Sequence, residues 1–129
     1  MADLEKAFLR IIIAEEDRDV LRYFWFTDPM DMQSPLIIMR FKVVIFGSKA
    51  SPFQLAAVLH VLIRDDCRDE YTRKALENCI YVDNVVYSDA DEEKLIKFYE
   101  ESRRVFKQGN FNIREWASNS KIVMEKAEE

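Results

Sequence analysis

The sequence predicts an α+β fold, with helices packed on one face of an antiparallel sheet, and three observations predict it. Residues Asp91 to Lys107 place Leu95, Phe98, Tyr99, Ser102, Val105 and Phe106 at helical spacing with charges between them, the pattern of an amphipathic helix. Met39 to Val43 alternates apolar with basic residues, as a half-buried strand does. Tyr81-Val82-Asp83-Asn84 lies between the apolar runs Cys79-Ile80 and Val85-Val86-Tyr87, which reads as a hairpin with a carboxylate at its tip.

Length and composition bound the rest. A chain of 129 residues with nearly half of them hydrophobic, nine Phe and only two Gly is long enough to bury a core without disulfides or a structural metal. The 24 acidic residues outnumber the 19 basic ones, for a net charge of -5, the opposite of a free-standing nucleic-acid binder. Any nucleic-acid contact is therefore expected to be local. Cys67 and Cys79 fit no metal spacing, and with no secretory leader they point to a reducing, intracellular compartment, cytoplasmic or nuclear. The apolar runs Leu36 to Met39 and Leu55 to Leu59 are too short to span a bilayer.

Along the chain, Leu4 to Phe8 is helix-friendly and Leu9 to Ile13 reads as a strand end or tight turn. Glu15-Glu16-Asp17 opens a short helix, because carboxylates favour the positive end of the helix dipole. Tyr23 to Thr27 is aromatic and β-branched and reads as a packed strand. After a proline-bearing loop from Asp28 to Pro35, the strand Leu36 to Phe46 is expected to pair with it. Gly47 to Pro52 then turns into a helix with Ser51 as cap and Pro52 at its first position. That helix, Phe53 to about Ile63, is apolar on nearly every face and is expected to be buried on several sides. Arg64 to Lys74 reads as a solvated charged stretch. Ser88, Asp89 and Asp91 offer caps to the amphipathic helix and Gly109 stands at its end. A strand from Phe111 to Trp116 leads to a polar tail, residues 121–129, expected to fray.

Three stretches read together look like one site. They are Asp3 followed by Phe8, the turn Phe46-Gly47-Ser48-Lys49-Ala50-Ser51-Pro52-Phe53, and Tyr81-Val82-Asp83-Asn84. Their order and spacing resemble the A, B and C motifs of a reverse transcriptase palm. Asp3-Leu4-Glu5-Lys6-Ala7-Phe8-Leu9, Glu16-Asp17-Arg18, Leu21-Arg22-Tyr23-Phe24-Trp25 and the segment from Gly109 to Asn119 extend the resemblance to LTR retrotransposons of the Bel/Pao group, over residues 1–120.

The resemblance implies a polymerase palm-like antiparallel sheet with fingers and thumb missing, and an RNA-directed DNA polymerase as parent. It implies Asp3 and Asp83 as ligands of Mg²⁺ or Mn²⁺, with Asn84 beside them in the catalytic group. Phe8 would pack under the nucleotide sugar, the backbone around Lys6 and Ala7 would face the triphosphate, and Gly47 and Lys49 would lie against the incoming nucleotide. RNA or DNA template-primer and dNTP are the implied partners. His60, alone in an apolar helix, reads as a core histidine rather than a ligand, and Trp116 as a packing residue.

The pattern breaks at two positions. The C motif normally carries two adjacent aspartates and here the second is Asn84, which removes a negative charge from a site meant for two dications, so metal binding is expected to weaken. Ile45 stands where proline usually precedes Phe-Gly. With little chain before Asp3 to hold it, the expectation is a palm inactive alone, with weak or no nucleic-acid binding and with apolar surface open to self-association. The alternative is a non-catalytic binding or scaffolding remnant, and a generic α+β domain would require Asp3 and Asp83 to lie far apart.

Overall fold

A computed structural model describes residues 1–128. In chain order it contains β1 (Ala2–Glu5), β2 (Arg22–Phe26), β3 (Leu36–Arg40), α1 (Ser51–Asp66), α2 (Glu70–Cys79), β4 (Ile80–Tyr81), β5 (Asn84–Val85), α3 (Glu92–Gln108), β6 (Asn112–Arg114) and α4 (Lys121–Glu128), with 3₁₀ turns at Phe8–Arg10 and Glu15–Leu21. The fold is mixed α+β. Its main sheet has the order β4-β5-β1-β6, and every neighbouring pair is antiparallel.

The first strand departs from expectation. Leu4, Glu5, Lys6 and Ala7 favour helix by only tenths of a kcal/mol each, whereas β1 gains ladders on both sides. Ala2 and Asp3 pair with Val85 and Asn84, and Asp3, Leu4 and Glu5 pair with Arg114, Ile113 and Asn112. Met1 and Ala117 also exchange two backbone bonds of 2.9 Å. Asp3 is therefore held by the middle strand of the sheet, not left loose at a chain end.

The pleat sorts the sheet into two faces. Ala2, Leu4, Val85 and Ile113 are buried and join Leu55, Leu59, Ile63, Leu76, Phe98, Val105 and Phe106 of the helices in one core. Burying a side chain such as Leu55 or Phe106 contributes roughly 1.5–3 kcal/mol. The register puts Asp3, Glu5, Asn84, Asn112 and Arg114 on the opposite face.

In α1 the buried residues Ser51, Leu55, Leu59 and Ile63 recur every fourth position, which makes one stripe rather than a helix buried on several sides. Phe53 is 75% exposed, and Val58 and Val61 also face solvent, because α2 and α3 cover only one flank. Ser51 does not cap α1. Its hydroxyl instead donates to the Ile45 carbonyl at 2.6 Å, tying the preceding turn to the helix start.

The stretch expected to be solvated between Arg64 and Lys74 holds the end of α1 and the start of α2. Asp69 caps α2, accepting from the Thr72 amide at 2.8 Å and the Thr72 hydroxyl at 2.7 Å. Thr72 and Leu76 lie one turn apart and are buried, and their two side chains were hidden among charges on the outer face.

The amphipathic helix is α3, with its expected inner residues buried and Asp91 accepting from the amides of Glu93 and Lys94. Its end is a Schellman motif, in which Asn110 at φ 61° takes the left-handed position, Asn110 N–H bonds Lys107 O at 3.1 Å and Phe111 N–H bonds Phe106 O at 2.8 Å. Gly109 serves another purpose, since any Cβ there would fall on Leu62 Cδ2.

The polar tail does not fray over its described residues. It forms α4, whose Val123 is buried, and it is tied to α3 by the bond from the Tyr99 hydroxyl to Lys126 O at 3.1 Å and from the Ser120 hydroxyl to Glu92 Oε1 at 2.6 Å. Glu129 lies outside the described residues.

The aromatic strand and its partner form a separate two-stranded ribbon, β2–β3. Neither strand packs as expected: Phe24 is 70% and Ile38 63% exposed, and all of β3 faces solvent. The ribbon is anchored at its base, where Arg40 pairs with Glu15 at 3.1 Å and Asp19 at 2.9 Å and Ile12 bridges Val43.

Candidate functional site

The hairpin and β1 build the site together. Tyr81 pairs with Asn84 and Ile80 with Val85, leaving Val82 and Asp83 as the two turn residues. Val82 has φ 58° while Asp83 does not share the positive angle, the pattern of a type II′ turn. Glycine normally fills that position. A β-branched residue there stores strain of about 1–3 kcal/mol, a feature concentrated at functional sites.

Asp83 stands at the tip of this turn, and its carbonyl accepts the Leu4 amide at 2.8 Å. Asp3 sits directly opposite Asn84 across the β1–β5 ladder. The two carboxylate-bearing segments named from opposite parts of the sequence are thus neighbours in one sheet. The Asn84 amide donates to Asp83 Oδ1 at 3.2 Å, so its side chain is turned toward the tip.

The acids of this face act on one another electrostatically. Partial burial pushes the Asp3 carboxyl up, and the negative charges of Asp83, Glu115 and Glu5 add to it, while Arg114 opposes the rise. Arg114 is the cation of this face, with Nε 3.9 Å from Asp3 Oδ2, Nη1 3.2 Å from Glu5 Oε1 and Nη2 3.5 Å from Glu115 Oε1. Glu5 also accepts from the Asn112 amide at 2.9 Å, and that bond, ahead of Arg114, holds its carboxyl low.

Two carboxylates on an open polar face suit a hard dication that takes its remaining ligands from water or substrate oxygens. The donor set is sparse. Among the described residues no group of three or more His, Cys, Asp or Glu is placed to hold a metal, and Arg114 competes for the same carboxylates.

The second stretch meets the first through aromatics. Phe8 and Phe46 pack edge to face with centroids 4.9 Å apart. Phe8 is buried under the exposed Phe46, so it is a core residue at the border of the site. Ala7 is buried and Lys6 exposed, and Lys6 adopts φ 51° as the chain leaves β1. Gly47 has φ 86° with nothing within 4 Å of a would-be Cβ, so the turn needs glycine for its backbone angle and not for a close approach. Lys49 is exposed in the same turn.

His60 is exposed on α1 and not a core histidine. Cys67 is buried, Cys79 half-buried and both are free, with burial pushing each thiol up to about 11, which keeps them neutral and unreactive. Trp116 packs edge to face on Tyr99 at 4.7 Å. Sequence reasoning passed over Glu5, Asn112, Arg114 and Glu115. The two-residue period was the available signal, since Glu5 shares a face with Asp3, and Asn112 with Arg114.

No protein-family model matches the chain, and no curated protein matches its sequence. Fold and site together define a small α+β domain that presents paired acids at a strained hairpin on an open sheet face. No helix among the described residues is long and apolar enough to cross a membrane.

Proposed function

We propose that this chain is a reverse transcriptase palm of the Bel/Pao retrotransposon kind, incompetent for nucleotidyl transfer by itself. The observation that carries the reading is the pairing of Asp3 with Asn84, beside a turn strained at Val82. Such a pairing joins the two segments that resemble the A and C motifs. A third, accidental reading requires the carboxylates of Asp3 and Asp83 to lie beyond the reach of a shared metal.

In this account Asp3 and Asp83 would hold Mg²⁺ or Mn²⁺, and the chemistry such an ion would supply there is activation of a primer hydroxyl and stabilisation of the leaving oxygen. The chain's own residues position the reactants. Phe8 is buried beneath the exposed Phe46, so it would support the nucleotide sugar only through that ring, and the turn from Gly47 to Pro52 would lie beside the incoming dNTP. Asn84 supplies an amide where a second charge is needed, and Arg114 neutralises part of what remains. Losing a metal-site charge removes several kcal/mol of transition-state stabilisation, enough for orders of magnitude in rate.

Primer extension on an RNA template tests the reading, using this chain joined to retroelement fingers and thumb, with Asn84 and with Asn84→Asp. Product that rises at least about a hundredfold with the aspartate supports it. Absence of product from both, together with absence of divalent-metal binding, overturns the catalytic assignment.

The uncovered β2–β3 ribbon favours a second reading, a non-catalytic remnant that keeps the fold for binding. Under it Asp3→Ala and Asp83→Ala leave folding and partner binding unchanged.

A further inference from the structure

We propose that a basic pocket between the end of α3 and the start of β6 binds a compact phosphate group, either free phosphate or pyrophosphate or the terminal phosphates of a nucleotide. The pocket has a volume of about 320 Å³ and is lined by Arg10, Arg103, Lys107, Asn110 and Asn112, with Phe111 and Ile113 at its floor. It lies apart from the acids of the hairpin tip, and the inference does not rest on the palm reading.

Several observations point to an anion. No carboxylate of the described residues lines the pocket, in a chain whose net charge is -5. Among the described residues, Arg10, Arg103 and Lys107 form no ion pair, whereas the acids of adjoining positions are engaged elsewhere: Glu5 with Arg114, Glu100 with Lys126 and Glu101 with Arg104.

The three cations come from two separate segments. Arg10 ends the 3₁₀ turn after β1, and Arg103 and Lys107 stand one turn apart on α3. The Arg103 guanidinium donates to the Tyr99 hydroxyl and stacks at 5.3 Å over that ring, on the side of the neighbouring hollow toward α4, so Arg103 adds positive charge from the border of the pocket that it lines with Arg10 and Lys107.

A helix C-terminus ordinarily repels anions through its unpaired carbonyls. Here the Phe106 and Lys107 carbonyls are occupied by the Phe111 and Asn110 amides, so two of the last carbonyls are turned to internal bonds and the repulsion is reduced. The same motif exposes Asn110 at the pocket rim. Guanidinium and ammonium groups with amides around a small polar hollow form the donor set for a multivalent oxyanion.

Titration of the full chain with inorganic phosphate, pyrophosphate and ATP at constant ionic strength, followed by amide and arginine side-chain NMR, tests the site. Saturable binding is expected, with shifts centred on Arg10, Arg103, Lys107 and Asn110. Removing a charged hydrogen-bond donor costs on the order of 1.5–3 kcal/mol, or about ten- to a hundredfold in affinity. Arg10→Gln with Lys107→Gln, both exposed and clear of the core, should therefore weaken binding at least about tenfold. Lys42→Gln with Lys121→Gln, both exposed and away from the pocket, should leave it unchanged. Pyrophosphate as tight as ATP identifies the free anion as ligand, and tighter ATP identifies a nucleotide. Linear shifts that chloride reproduces, or binding indifferent to Arg10→Gln and Lys107→Gln, would overturn the proposal.

Discussion

Asp3 and Asn84 face each other across the β1–β5 ladder, while the Asn84 amide donates to Asp83. An uncharged residue therefore sits between two carboxylates whose charges already oppose one another. Asn84→Asp would replace that donor with a third negative charge.

The burial and like charges that raise the Asp3 carboxyl mean that its ionisation destabilises the folded state. The sign follows from linkage: the penalty is full above the raised folded value and disappears as pH falls through it toward the ordinary aspartate range. Without divalent ions, Asn84→Asp should be less stable than the parent by about 1 kcal/mol at pH 7, and the gap should close by about pH 4. Urea unfolding at both values measures it, and equal stability at pH 7 would count against crowded acids.

Acid should weaken the helical layer for the opposite reason. Lys97 and then Thr72 hold the Asp69 carboxyl down at about 2, and Arg104 does the same for Glu101, also at about 2. Depressed carboxyls contribute stability that is present above their unfolded values and lost as pH falls through the folded ones. Stability should therefore decline between roughly pH 4.5 and 2. Asp69→Asn should cost about 1–2 kcal/mol at pH 7 and almost nothing near pH 2, read by thermal unfolding across that range.

Val82 occupies a turn position that suits glycine, with φ 58°. Val82→Gly should relieve the strain and, after the extra entropy of a glycine in the unfolded chain, stabilise the protein by about 1 kcal/mol. Chemical denaturation measures the change. A loss of stability would show that Val82 packs more than it strains.

The β3 strand presents an uncovered edge. Thr27 N–H bonds Pro35 O and Phe41 N–H bonds Leu21 O, and the alternation of an antiparallel ladder then turns the backbone groups of Leu36, Ile38 and Arg40 outward. An exposed apolar edge invites pairing with another chain. Ile38→Lys should lower concentration-dependent association in sedimentation velocity while changing stability by less than about 0.5 kcal/mol. Unaltered association would move the responsible surface elsewhere.

The sequence was most readable where local signals agreed. In α3, Asp91, the inner-face spacing and the Gly109-Asn110 ending all point one way, and the hairpin around Asp83 is marked by flanking apolar runs. The start of the chain was misread because Leu4 and Glu5, which weakly favour helix, join β1 only through the ladders that β5 and β6 supply, which no local signal encodes. α2 and α4 were hidden because single buried stripes, Thr72 with Leu76 and Val123 alone, lie among many charges. The ribbon misled in the other direction: Phe24, Trp25 and Ile38 look like core by composition, yet among the described residues they stay largely exposed. The acids Asp3 and Asp83 could be picked out from the sequence by resemblance, whereas the Arg114 bridge among Asp3, Glu5 and Glu115 required the sheet register.

The central claim is that Asp3 and Asp83 form one divalent-ion site weakened by Asn84, and Mn²⁺ titration followed by electron paramagnetic resonance tests it most directly. The account predicts weak saturable binding to the parent chain, tightened about tenfold or more by Asn84→Asp and lost in both Asp3→Asn and Asp83→Asn, because each added carboxylate strengthens a hard-cation site. Mn²⁺ binding that is absent in the Asn84→Asp variant, or that survives both asparagine substitutions unchanged, would contradict it.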